Sequence, residues 1–182
     1  MAQSIGLLEL KSIPVGMETA DEMLKAASVE LLLATPICPG KYIIIVSGNV
    51  GAVKSSVKAG IGMADTFLVG HHIINNVHES IPAAISGTAE VTNVSAIGII
   101  ETISALTAVT AGDIAAKASN VRLIEIRIAR GLGGKGFLIF TGEISAVKSA
   151  VNSCLNELKE TGEITSHSVI SSPHKDLIKS IM

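Results

Sequence analysis

The stretch Ile5-Gly6-Leu7-Leu8-Glu9 decides the fold, because it recurs in the second half of the chain as Ile97-Gly98-Ile99-Ile100-Glu101. After a central loop the offset between the two halves grows by two residues and pairs Gly40-Lys41 with Gly134-Lys135. Self-similarity at a fixed spacing is the signature of a repeated structural unit. The sequence therefore predicts an internal duplication, with one domain over residues 1–90 and a second over residues 94–182. The Gly/Thr/Ser/Asn-rich stretch at 86–94 is suited to a linker.

Each half has the pattern β-α-β-β-α-β. In the first half, strands are predicted over residues 4–10, 29–35, 42–47 and 67–74, with helices over 16–28 and from residue 50 onward. In the second half the paired central strands are predicted over 121–130 and 136–140, and apolar residues line one long helix from Ile144 to Leu158. This element order is that of the ferredoxin-like unit, an α+β fold with both helices on one face of an antiparallel sheet.

Composition excludes several functions. The chain of 182 residues is 48% apolar but only 2% aromatic, and its mean hydropathy of +0.54 predicts that an oligomer buries part of the surface. A net charge of −2, thinly spread basic residues and so few aromatics argue against nucleic acid. No apolar run approaches the ~20 residues that span a lipid membrane, and Met1-Ala2-Gln3-Ser4 lacks the basic start and long apolar region typical of a signal peptide. We expect a cytoplasmic protein.

The central loop of the first half, Thr35-Pro36-Ile37-Cys38-Pro39-Gly40-Lys41, holds a thiol on a constrained turn. The two prolines fix their own φ angles, and Gly40 tolerates a positive φ. Iron–sulfur clusters typically take four thiolates, so Cys38 alone is a free thiol. In a closed ring of three chains, however, three copies of Cys38 meet at the axis and can hold three irons of a cubane cluster.

The other motifs have structural explanations. Gly131-Leu132-Gly133-Gly134-Lys135-Gly136 has the letters of a dinucleotide fingerprint, but the residues that follow it predict a strand and not a helix. The glycine-rich sequence is better explained by a loop that packs closely around an axis than by the nucleotide site of a regulatory protein. Cys154 lies on an apolar helix face and is predicted to be core. His78 and His174 occupy corresponding places, which favours a shared structural role, and the sequence contains no catalytic grouping typical of an enzyme.

The chain resembles bacterial microcompartment shell proteins, and more narrowly their tandem-domain trimeric class. The resemblance rests on the repeated Ile-Gly-x-x-Glu start, on Asp-x-x-x-Lys-Ala at 21–26 and 113–118, and on the two central loops. It also includes the ending Ser168-Val169-Ile170-Ser171-Ser172-Pro173-His174. The cysteine loop is the most specific part of the match.

The resemblance implies two unpermuted shell domains per chain and a homotrimer shaped like a hexagon, which tiles with other shell proteins around enclosed enzymes. It implies one [4Fe–4S] cluster per trimer, bound by Cys38 of each chain, for electron transfer across the shell or for cluster delivery to an encapsulated redox enzyme. Lys25 and Lys117 match the lysines at the edges of shell tiles, through which neighbouring tiles usually contact each other. The implied pore loop comprises Pro36, Ile37, Pro39, Gly40, Gly131, Gly133 and Gly134. The alternative is a metal-free shell protein whose central pore passes a small metabolite.

Overall fold

The protein is described by a computed structural model that covers residues 3–128 and 131–182. The first compact unit comprises residues 3–77 together with 131–133. Its strands are β1 (Ser4–Leu10), β2 (Glu30–Ile37), β3 (Lys41–Gly48) and β4 (Leu68–Ile74), and its helices are α1 (Ile13–Ala26) and α2 (Val50–Ala64), followed by a short 3₁₀ turn. The four strands form an antiparallel sheet in the order β2-β3-β1-β4.

The second compact unit comprises residues 78–128 and 134–182. A short helix α3 (Ile81–Ser86) comes first and is followed by β5 (Ala96–Thr102), α4 (Ala105–Ala118), β6 (Arg122–Ile128), β7 (Gly136–Gly142), α5 (Ile144–Glu157), β8 (Ile164–Ile170) and α6 (Lys175–Ile181). The sheet order is β6-β7-β5-β8, which repeats the order of the first unit strand for strand. The predicted duplication and the ferredoxin-like α+β fold are therefore confirmed.

The two units divide between Val77 and His78, earlier than the predicted linker at 86–94. The reason is α3, which packs against β6 and α4 and so belongs with the second unit although it follows the first repeat. Neither α3 nor α6 was predicted, since both are short. Helix α1 begins three residues earlier than predicted, because the Ser12 side chain accepts a hydrogen bond from the Val15 N–H and caps the helix. The last two residues of the strand predicted over 121–130 lie outside the described residues.

The core of the first unit lies between its sheet and helices α1 and α2. In the first unit Leu8, Leu10 and Ile44 on the sheet pack with Met23 and Val57 on the helices. Alternate strand residues point to the same face, so these positions follow the period of two that the sequence shows. Among the described residues, no helix combines the length and the apolar character needed to cross a membrane.

Small residues set the distance between helix and sheet. A Cβ placed on Gly16 of α1 would lie 2.5 Å from the Cβ of Tyr42. Tyr42 is 5% exposed and cannot swing into solvent. The helix therefore rests directly on the aromatic ring, and only glycine permits that approach.

We predict that Gly16→Ala lowers the free energy of unfolding by about 1–3 kcal/mol, since the added methyl overpacks the contact with Tyr42. Gly62→Ala is the matched control, because Gly62 lies in α2 and a Cβ there meets none of the atoms that the structure describes within 4 Å. That control should be neutral or raise stability by up to about 1 kcal/mol through helix propensity. Denaturant unfolding of the two variants measures both effects, and equal stabilities would contradict the packing argument.

Candidate functional site

The Cys38 thiol lies on a three-residue turn between two strands. Ile37 ends β2 and is the register partner of Lys41, which begins β3, so Cys38, Pro39 and Gly40 form the connection. Gly40 has a φ of +68°, as the sequence predicts, and the Cys38–Pro39 peptide bond is cis. Cys38 is half-buried, whereas Pro39 and Gly40 are exposed. The turn therefore holds one partly accessible thiol at the tip of a strand pair.

An ion pair between a partly exposed lysine and a buried carboxylate lies at the base of this turn. Lys41 Nζ is 2.6 Å from Glu9 Oε1, and the Glu9 residue on β1 is 1% exposed. The second carboxylate oxygen, Glu9 Oε2, is buried and has no hydrogen-bond partner among the described residues. The sequence pattern does not identify this pair as a site, although the Glu of Ile-Gly-x-x-Glu and the Gly-Lys pair each recur in the second half of the chain.

The equivalent pair of the second unit has a different environment. Lys135 Nζ lies 2.8 Å from Glu101 Oε1, and both side chains are more than a third exposed. The Thr165 hydroxyl also donates to Glu101 Oε1 at 2.6 Å. The hydrogen bonds from Lys135 and Thr165 lower the pKa of Glu101. The same two residue types thus form an exposed pair here and a pair with a buried carboxylate below Cys38.

The glycine-rich loop of the second half adopts backbone conformations that favour glycine. Gly131, Gly133 and Gly134 have φ values of +70°, +62° and +95°. Strand β7 follows at Gly136, so the dinucleotide fingerprint is excluded on structural grounds. The assignment of this loop and of Pro36, Ile37, Pro39 and Gly40 to a central pore stays a prediction, since it concerns an assembly of several chains.

The two cysteines differ in access to solvent. Cys154 is fully buried, its Sγ donates to the Ala111 carbonyl oxygen at 3.3 Å, and burial raises the pKa of its thiol to about 12. The predicted core role of Cys154 is confirmed. Within residues 3–128 and 131–182, no three His, Cys, Asp or Glu side chains of one chain converge as a metal site. Cys38 therefore fits a metal centre only if further copies of the chain contribute ligands.

The two predicted edge lysines are held by equivalent aspartates in unlike surroundings. Lys25 forms an exposed ion pair with Asp21, and that hydrogen bond raises the pKa of the lysine. Lys117 Nζ lies 2.5 Å from Asp113 Oδ2, and Asp113 is only 5% exposed. Asp113 Oδ1 also accepts a hydrogen bond from the His78 N–H at 2.8 Å. Whether the two lysines contact neighbouring tiles stays a prediction.

His78 and His174 have a shared structural role, as predicted, and that role is local. The Nδ1 atom of each accepts a hydrogen bond from the backbone N–H two residues further on, at 3.3 Å from Ser80 and at 3.2 Å from Asp176. Each imidazole therefore stabilises the start of the short helix that follows its repeat, α3 or α6.

The aspartates allow a matched test. We predict that Asp113→Ala lowers the free energy of unfolding by about 1–3 kcal/mol, because it leaves the part-buried His78 N–H without its acceptor. Asp21→Ala should cost less than Asp113→Ala, since the pair it breaks is solvent-exposed. Thermal and denaturant unfolding measure the difference, and a larger loss for Asp21→Ala would contradict it.

The cysteines allow a second test. Because burial raises the pKa of Cys154 to about 12, about one Cys154 thiol in 10,000 is ionised at pH 8. We predict that iodoacetamide modifies folded, metal-free protein at Cys38 and leaves Cys154 unmodified, whereas unfolded protein reacts at both. Peptide mass spectrometry locates the adducts. Modification of Cys154 in folded protein would contradict its assignment to the core.

Comparisons with known proteins agree with this duplicated architecture. The family model described as the BMC domain matches residues 4–77 and 96–173. The bacterial microcompartment shell protein PduT of Citrobacter freundii is 42% identical over 177 residues, covering 97% of this chain and 96% of that protein. The carboxysome shell protein CcmK2 of Synechococcus elongatus is 38% identical over 85 residues, 44% of this chain and 83% of its own length. A crystal structure of a microcompartment protein from Desulfitobacterium hafniense superposes with a TM-score of 0.94 at 46% identity, covering 98% of this chain and 99% of that one.

Proposed function

The chain belongs to the BMC-domain family and is a structural shell protein of a bacterial microcompartment, and on this premise we propose that three copies form a ring that binds one [4Fe–4S] cluster through Cys38 of each. In this proposal the ring tiles with other shell proteins. The cluster passes electrons across the shell or is delivered to an enclosed redox enzyme. A bound cluster supplies one-electron redox chemistry, and this chain supplies its thiolates and their position.

The observation that carries the proposal is the placement of the two thiols. Cys38 is half-buried at the tip of a turn, whereas Cys154 is sequestered in the core with a pKa of about 12. One chain therefore presents a single thiol, which fits the donor set of a cluster shared by three chains. Three thiolates ligate three irons, and a [4Fe–4S] cubane then keeps one iron open to a small ligand.

The central loops of the two repeats differ, and this difference supports a site shared by several chains. Both repeats have a central loop between their middle strands, but only the loop of the first repeat carries a cysteine. A threefold ring of such chains presents three thiols and three glycine-rich loops. The glycine-rich loop contains no side chain that ligates iron, so it leaves the ligation to Cys38.

A second candidate function is a metal-free pore for a small metabolite. The observation that favours it is the open space around Gly40, Gly131 and Gly133, where an added Cβ would meet no atom of the described residues within 4 Å. Loops with such small residues leave room for a solute at an axis. In that function the Cys38 thiol has no ligand role.

We predict that anaerobic reconstitution with iron and sulfide gives a brown protein with about four irons and four sulfides per three chains. Cys38→Ala should bind none, because it removes the thiolates. Cys154→Ala is the matched control and should retain full binding, since that thiol is buried. Visible absorption, iron and sulfide assays, and the mass of the assembly are the measurements.

Two outcomes would contradict the cluster proposal. One is wild-type protein that stays colourless and iron-free after strictly anaerobic purification and reconstitution, which would favour the metabolite pore. The other is equal iron binding by wild type and Cys38→Ala, which would place the metal elsewhere.

A further inference from the structure

The ion pair below the Cys38 turn lies where it can hold the turn in place. Lys41 is the first residue of β3 and follows the turn directly. Its Nζ reaches Glu9 on β1, the strand that lies between β3 and β4 in the sheet. The pair therefore links the exit of the turn to an inner strand across the β1–β3 ladder, where Glu9 is in register with Ile43.

Burial of the carboxylate makes loss of this link costlier than loss of an ordinary surface ion pair. Glu9 is 1% exposed, its Oε1 is 2.6 Å from Lys41 Nζ, and its Oε2 has no hydrogen-bond partner in the described part of the chain. A buried carboxylate that loses its cation carries an uncompensated charge in a poorly solvated place. Loss of Lys41 should therefore drive the Glu9 carboxylate towards solvent. That movement should displace the strand ends that flank the turn.

The equivalent ion pair of the second repeat has different surroundings. Glu101 accepts from both Lys135 and Thr165 and is partly solvated. The position equivalent to Thr165 in the first repeat is Val69, since Glu9 pairs with Gly70 as Glu101 pairs with Ser166. Valine has no hydroxyl to donate, so Glu9 depends on Lys41 in a way that Glu101 does not depend on Lys135.

We propose that Glu9 and Lys41 are positioning residues that anchor the Cys38 turn and fix the direction of its thiol. Their effect on a bound cluster rests on the function proposed above, whereas their effect on the turn does not. The carboxylate of the pair is buried in the repeat whose loop carries the cysteine and is more than a third exposed in the other, which is the correlation expected of an anchor for that thiol.

The first measurement uses metal-free, full-length protein. We expect Lys41→Met to increase the rate of Cys38 alkylation and of amide exchange at residues 37–41 by about tenfold or more, equivalent to about 1.4 kcal/mol in local opening. Lys135→Met is the matched control in the second repeat and should change neither rate. Lys41→Arg keeps the charge and should restore most of the protection. Equal behaviour of Lys41→Met and Lys135→Met would overturn the proposal.

The double variant Glu9→Gln/Lys41→Met separates positioning from general stability. Replacing the buried carboxylate by an amide removes the uncompensated charge, so the double variant should be more stable to denaturant than Lys41→Met alone. Its turn should still exchange faster than that of wild type, because the anchor is missing. If Lys41→Met does not fold, this variant decides the question, and wild-type exchange at residues 37–41 in it would overturn the proposal.

The second measurement uses reconstituted protein. We expect Lys41→Met to lose its cluster about tenfold faster than Lys135→Met under a chelator challenge, with an altered visible or electron paramagnetic resonance spectrum. If wild type binds no cluster, the proposed function fails and the exchange data still decide the role of the ion pair. If wild type binds a cluster and Lys41→Met retains it equally well with an unchanged spectrum, the anchor role is overturned.

Discussion

The close approach of helices to sheet is the constraint on which the rest of the structure depends. With almost no aromatic residues, the two cores are filled by Ile, Leu, Val and Ala, and glycines let the layers meet. A Cβ on Gly6 would lie 2.4 Å from Val57, and one on Gly98 would lie 2.3 Å from Phe140. Because protein interiors are packed to crystal-like density, these contacts fix the helix positions and hence the ends of the strands. The strand ends in turn determine the positions of the central loops.

Two contacts of the first unit can be compared with their equivalents in the second unit. At each of them a larger side chain on one element faces a smaller one on the other. Gly16 faces Tyr42 in the first unit, and the equivalent contact of the second unit joins Ala108 to Gly136. Similarly, Gly60 lies against Met23, whereas the equivalents are Cys154 and Ala115. In each case the larger side chain has moved to the other side of the same contact. The side chains at equivalent contacts differ between the repeats, but in each repeat at least one of the two partners is small.

Much of this fold could be predicted from the sequence, because a repeated strand pattern gives two independent readings of the same element order. The short helices α3 and α6 could not, since six or seven residues carry too little periodicity and depend on caps such as His174. Cys38 could be placed on a turn from Pro36, Pro39 and Gly40. The burial of Glu9 could not be inferred, because Glu9 and Glu101 occupy the same repeat position and differ only in their surroundings. A ring of several chains lies beyond what a single-chain fold determines.

The unequal central loops give the proposed ring a ligand number that suits its chemistry. If both repeats carried the cysteine, three chains would present six thiols, more than a cubane cluster takes. A single repeat with the cysteine presents three, and the glycine-rich loop of the other repeat brings no competing ligand. The Glu9–Lys41 pair with its buried carboxylate and the exposed Glu101–Lys135 pair follow the same division, because only one of the two loops has a thiol to hold in place. The two repeats therefore differ both in the central loop and in the ion pair beneath it. Their sheets, in contrast, have the same strand register.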